Sequence, residues 1–243
     1  MKIHVFDTVP DFNRAVAWRI IGQILQKPDS VIGLAAGSTT EGIHAAVADI
    51  WLAHPFDLSR VTFYGLDEII GAPAGFDFSC LGSIRRHLRA DELKLGEERF
   101  IFPPVRSDDY ERECVDFVRR IAAAGGSDLQ ILGIGPDGHL AMNLPGIPPD
   151  STTRLVELSP QLQADIRQKG DWPAEAPMLG ITLGLRDIIN MPCLLLAAKG
   201  GAKAKIIHSA LVGPVTSDVP ASILQLHPFV EVYLDAEAAA LLR

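Results

Sequence analysis

Four short segments of this chain carry residue types that can hold an anion or move protons. The first is Gly37-Ser38-Thr39-Thr40. Small residues at a helix start expose backbone N–H groups to which a phosphate binds, and the hydroxyls add donors. The same residues suit ordinary capping, with Thr39 or Thr40 as N-cap, and the two readings are compatible. No Lys follows the glycine in the GxxxxGK[ST] spacing, so this is not a Walker loop. The second segment is Leu66-Asp67-Glu68. Adjacent acids at the end of an apolar stretch are costly unless they are solvated, hydrogen-bonded or functional. A carboxylate there can act as a general base, or as a helix cap or loop anchor.

The third segment, Gly133-Ile-Gly-Pro-Asp137-Gly-His139, matches GxGxxG literally. It lies mid-chain, and Asn143-Leu144-Pro145-Gly146 leaves little room for the helix that a dinucleotide site needs. Turn preferences explain Pro136, Asp137 and Gly138. They do not explain His139. A lone histidine is more often structural, yet its ordinary pKa near neutrality suits proton transfer in both directions. The fourth segment is Lys199-Gly-Gly-Ala-Lys203-Ala-Lys205. Lys203, in the first turn of a helix, can bind a phosphate as a point charge, whereas Lys199 and Lys205 read as solvated.

The elements that must position these segments alternate between strand and helix. Residues 2–6, 30–35, 60–66, 128–133, 192–198 and 230–234 read as apolar strands. Helices are expected after Pro10, from about Glu41 to Trp51, and near residues 79–88, 108–124, 161–169, 183–189 and 203–211. Residues 146–179 are polar and irregular, and a loop of about 150–179 could form a lid. Strand–helix alternation predicts parallel crossovers and a single α/β domain over 1–243. The expected architecture is one doubly wound, mainly parallel, Rossmann-like sheet with helices on both faces. Such folds bind ligands at the carboxyl ends of strands, where all four segments fall.

Composition narrows the function further. The 243 residues are 48% hydrophobic and 21% charged, with a net charge of -8. That balance supports a buried core and argues against a general nucleic-acid or anionic-membrane binder. Cys80, Cys114 and Cys193 are odd in number and widely spaced, which excludes a disulfide framework and a cysteine zinc site. No other spacing reads as a metal site. The N-terminus lacks the apolar run of a signal peptide, and no run approaches the roughly 18 residues that span a bilayer. A cytoplasmic protein is expected.

Together the segments resemble the glucosamine-6-phosphate deaminase family and its galactosamine-6-phosphate isomerase relatives. The resemblance runs in order along nearly the whole chain. It is carried by Leu34-Ala-Ala-Gly-Ser-Thr-Thr40, Leu66-Asp67-Glu68, Gly133-Ile-Gly-Pro-Asp-Gly-His-Leu-Ala-Met-Asn143, Gly180-Ile-Thr-Leu-Gly-Leu185 and Ser222-Ile-Leu-Gln-Leu-His-Pro228. It implies an enzyme, of the hydrolase class, that isomerises and deaminates a hexosamine 6-phosphate without a cofactor or metal. By the same resemblance, His139 shuttles a proton to open the sugar ring, Asp137 holds the imidazole tautomer, and Asp67 moves the C2 proton to C1. Gly37, Ser38, Thr39, Arg167 and Lys203 bind the phosphate. The partner is a small phosphosugar, and a homo-oligomer is open.

One position departs from the pattern. The family's deaminases carry Glu directly after the signature Asn, where this chain has Leu144. The sister 6-phosphogluconolactonases share Asp-Gly-His and are apolar near this point, but the arginine of their Asp-Glu-Arg motif is Ile69 here. A lactonase, with His139 as base for water, is therefore the second expectation. A non-catalytic sugar-phosphate sensor is the third.

Overall fold

Leucine- and isoleucine-rich runs form strands that are covered on both faces. The computed structural model describes residues 1–72, 79–169, 172 and 177–242. Strands β1 (Lys2–Phe6), β2 (Val31–Leu34), β3 (Thr62–Gly65), β5 (Phe100–Ile101), β6 (Leu129–Leu132), β9 (Leu194–Ala198) and β10 (Val230–Asp235) are numbered in chain order. They form one seven-stranded sheet in the order β1-β10-β9-β6-β2-β3-β5, with each neighbouring pair parallel. β2, β6 and β9 are buried along their whole length.

The period of two sends alternate side chains of one strand into different cores. Leu195 and Ala197 of β9 pack with Phe12, Val16 and Ile20 of α1 (Val9–Gln26), Ile43 and Val47 of α2 (Ser38–Ala53) and Ile84 of α3 (Cys80–His87). Leu194 and Leu196 pack on the other side. Their neighbours are Phe117 of α4 (Tyr110–Ala123), Ile188 of α6 (Leu185–Ile189) and Ile207 of α7 (Ala204–Leu211). Each such leucine contributes roughly 1.5–3 kcal/mol of transfer free energy. The result is the α/β fold with a mainly parallel sheet that strand–helix alternation predicts. The chain adds β3 and β5 on one side of β2, then β6, β9 and β10 on the other. Its direction of growth thus reverses between β2 and β6, and a doubly wound sheet opens its crevice at such a point.

The structure also holds a sheet that periodicity does not predict. β4 (Asp67–Ile70), β7 (Arg154–Glu157) and β8 (Leu179–Thr182) pair antiparallel in the order β4-β8-β7. Asp67 and Glu68, expected to end a strand, begin β4 instead. Residues 146–179, expected to be irregular apart from a helix near 161–169, carry that helix as α5 (Pro160–Lys169) and also the strand β7. The expected lid includes residues 170–171 and 173–176, which lie outside the described residues. Among the described residues, no helix is long and apolar enough to cross a membrane.

Glu68 fastens this small sheet to α3. Its side chain is fully buried. Oε1 accepts the backbone N–H of Ile69 at 2.9 Å and of Cys80 at 2.7 Å, and Oε2 accepts that of Leu81 at 2.9 Å. Burial pushes the carboxyl up to about 7, against those three bonds. The loop-anchor reading of one of the adjacent acids thus describes Glu68. Glu68→Ala leaves these donors without an acceptor and is expected to lower stability by about 2–4 kcal/mol in urea unfolding at pH 7.

Candidate active site

A cleft of about 250 Å³ opens at the carboxyl ends of β2, β3 and β6. Its wall includes Gly37, Ser38, Thr39, Asp67, His139 and Lys203. Four loops of distant sequence therefore converge because parallel strands place all their C-termini on one edge of the sheet.

The helix start is free of side-chain caps. The N-cap of α2 is Gly37, at φ 146°, and no side chain bonds the first turn. The expected cap at Thr39 or Thr40 is not formed, because Thr40 Oγ1 turns back to donate to the carbonyls of Ala35 at 2.7 Å and Gly37 at 3.1 Å. The 16-residue helix thus presents its positive end to the cleft beside Ser38 and Thr39. Lys203 approaches from the turn Gly201–Lys203, where its Nζ donates to the carbonyl of Ile134 at 2.7 Å. Burial lowers the pKa of its ammonium, and the Asp137 charge works against that shift.

Asp137 and His139 form a hydrogen-bonded pair. His139 Nδ1 lies 2.6 Å from Asp137 Oδ1, which also accepts the backbone N–H of His139 at 3.2 Å. Burial alone would raise the Asp137 carboxyl, but the bonds and charge of His139 outweigh it and hold the carboxyl below its ordinary value. An ionised Asp137 keeps the hydrogen on Nδ1 and leaves Nε2 as the proton acceptor. Gly135 makes room for the ring, since a Cβ there would collide with the imidazole. Gly138 adopts φ +90°, a conformation open to glycine.

Asp67 is half-buried at the start of β4. Burial pushes its carboxyl up to about 6, while a hydrogen bond from the Cys80 thiol, 3.4 Å from Oδ1, pulls the other way. Arg167 stands apart. It follows the fully buried Ile166 on α5, is exposed, and lines none of the described cavities, because α5 turns its neighbouring face inward.

Sequence reasoning misses the polar network behind the cleft. Asn143 is fully buried and donates from Nδ2 to the carbonyls of Leu140 at 2.9 Å and Leu183 at 2.8 Å. Its Oδ1 accepts from Arg154 Nη1 at 2.9 Å. Leu183 in turn donates its N–H to Leu66 at 2.8 Å, and Thr182 Oγ1 accepts the N–H of Met142 at 3.2 Å. The motif Gly133–Asn143 quotes Asn143, but nothing in its spacing foretells Arg154 or Thr182.

A family model described as Glucosamine-6-phosphate isomerases/6-phosphogluconolactonase matches residues 8–232. The chain belongs to this family. Among its members, glucosamine-6-phosphate deaminase of Clostridium botulinum (strain Loch Maree / Type A3) is 35% identical, covering 99% of this chain and 98% of the relative. The glucosamine-6-phosphate deaminase of Halothermothrix orenii is also 35% identical, over 100% of both chains. A solved monomeric glucosamine-6-phosphate deaminase superposes with a TM-score of 0.86 at 30% identity, over 99% of this chain and 100% of that one. The 6-phosphogluconolactonase from Trypanosoma brucei shares the fold, with a TM-score of 0.79 at 20% identity over 100% and 98% of the two chains.

Against that family pattern, Leu144 lines a second cavity of about 450 Å³, which His139 also lines. The two cavities share Pro136, His139 and Ala141. The acids of the second are Asp137, Glu157 and Asp165. No carboxylate occupies position 144 itself.

The raised pKa of Asp67 has a stability consequence. The unfolded chain ionises this side chain near its ordinary 3.8, whereas the folded chain holds the proton until about 6. Folded wild type therefore loses stability as pH rises from 4 to 6, and the loss persists above pH 6. Asp67→Asn removes this cost. The variant is expected to exceed wild type by about 1–3 kcal/mol at pH 8 and to match it at pH 4, as read by chemical denaturation at the two pH values.

Proposed function

We propose that this protein converts a hexosamine 6-phosphate and water into a ketose 6-phosphate and ammonia. The observation that carries this reading is the placement of Asp67 and His139 in one cleft with an uncapped helix start and Lys203. The two acid–base groups come from different strand ends, so a substrate can lie between them. The full-length likeness to glucosamine-6-phosphate deaminases supports the same reaction. The wider family's lactonase branch is the part that supports a hydrolase label.

The phosphate sits against Gly37, Ser38 and Thr39 with Lys203 as its counter-charge; Arg167 is left out of this set. Holding the remote phosphate keeps C1 and C2 of the sugar in register with the acid–base groups. His139 Nε2 takes the C1 hydroxyl proton and delivers it to the ring oxygen, opening the ring. Asp137 keeps Nδ1 protonated and steadies the transient imidazolium. Asp67 takes the proton from C2, and the electron pair forms the C1–C2 double bond of an enolamine as the C1 carbonyl π pair moves onto O1, which takes a proton from solvent. Returning the proton to C1 gives a ketimine. Water adds at C2 and ammonia leaves. The half-buried carboxylate suits this work because burial raises its basicity toward neutrality. The whole chain acts as one such unit, in the cytoplasm.

A lactonase is the second reading, favoured by the apolar Leu144 beside His139. A panel of hexosamine 6-phosphates, hexose 6-phosphates and 6-phosphogluconolactone, assayed separately for ammonia, ketose and acid, decides between them. Ammonia and ketose in equal amounts support the deaminase; acid from the lactone alone overturns it.

Three substitutions test the assigned roles. His139→Ala is expected to reduce kcat about 10²–10⁴-fold while phosphosugar binding, read by calorimetry, persists. Lys203→Ala is expected to weaken phosphorylated sugars far more than their unphosphorylated analogues in the same measurement. Leu144→Glu is expected to increase ammonia release, because a nearby negative charge stabilises the imidazolium. Circular dichroism melting of that variant checks that the new carboxylate has not unfolded the loop.

A further inference from the structure

We propose that Cys80 is a positioning residue whose thiol donates to Asp67 Oδ1 and so sets the orientation and acidity of the proton-transferring carboxylate. The inference rests on the role given to Asp67 above. Cys80 is the first residue of α3, and its Sγ lies 3.4 Å from Asp67 Oδ1. The helix start does not need that side chain. Ser79 Oγ caps it by accepting the N–H of Gly82 at 2.8 Å, and Glu68 accepts the backbone N–H groups of Cys80 and Leu81. The thiol is therefore free to serve Asp67 alone.

The surroundings keep this donor protonated. Burial first, then the carboxylates of Asp67 and Glu68, raise the thiol's pKa well above its ordinary value. A thiolate beside two acids would repel both, so the S–H persists through neutral pH. Its bond engages Oδ1 and leaves Oδ2 for the substrate proton. The other groups bearing on Asp67 are few. Glu68 adjoins it on β4, Thr182 is its uncharged partner on β8, and His139 and Lys203 share its cleft. Burial raises the Asp67 carboxyl and the thiol bond counters it, while the Asp67 charge adds to the rise at Glu68.

The test uses the full chain and the pH dependence of kcat and kcat/KM on the hexosamine phosphate it turns over. Cys80→Ala and Cys80→Val remove the donor. Both are expected to move the acid limb up by about half a pH unit. The same variants are expected to lower plateau kcat about 3–10-fold with little change in KM. Cys80→Ser keeps a stronger donor and is expected to hold the limb at or below its wild-type position. Infrared difference titration of the Asp67 carboxyl, identified by its absence in Asp67→Asn, reads the same shift without substrate. Profiles of Cys80→Ala and Cys80→Val that superimpose on wild type overturn the proposal. So does an equal shift in Cys80→Ser, or failure of the Ala and Val variants to fold. Turnover retained in Asp67→Asn would instead overturn the role of Asp67 itself.

Discussion

One buried amide holds the geometry of the cleft together. Asn143 uses both Nδ2 hydrogens and its Oδ1, and its partners lie on three different parts of the chain. Through Leu140 it closes the turn that follows His139. Through Leu183 it reaches the strand that pairs with Asp67, and through Arg154 it reaches the far strand of the small sheet. A buried polar side chain with every position satisfied is rigid, because each alternative orientation strands a donor or acceptor away from water. His139 and Asp67 have no contact that fixes one to the other. Their spacing is inherited from this amide and from the Leu183–Leu66 bond beside it.

That network also accounts for a strained residue. Ala141 adopts φ 53°, in the region that L side chains rarely occupy. It lies between His139 and Asn143, in the wall of both cavities. The bridge from Leu140 to Asn143 and the bond from Met142 to Thr182 clamp the chain on either side of it. The strain is kept because the clamps over-determine the loop.

Six strands of the central sheet were legible in the sequence, most clearly β2, β6 and β9, which are covered on both faces; the two-residue β5 was not. Continuous apolar runs such as PCLLLAA have no competing explanation. The cleft residues Asp67, His139 and Lys203 were legible for a related reason: each stands just beyond such a run. The small sheet was not. β4 reads Asp-Glu-Ile-Ile and β7 reads Arg-Leu-Val-Glu, four residues each, with no alternation long enough to signal a strand. They are strands only because β8 lies between them, more than a hundred residues after β4 in the chain. Arg154 was unreadable as a site component for the same reason, and Arg167 was placed by motif order, which carries no information about which way α5 faces.

The division of labour at the start of α3 has an evolutionary side. The helix is secured through backbone N–H groups that Glu68 accepts, and every residue type except proline supplies such a group. The side chain at position 80 touches the Asp67 carboxyl and is not needed to secure the helix. Mutation there can retune the Asp67 carboxyl while the helix anchor stays in place, and mutation at Glu68 removes that anchor. Related enzymes would then drift in pH optimum through position 80 while the neighbouring acid stays unchanged.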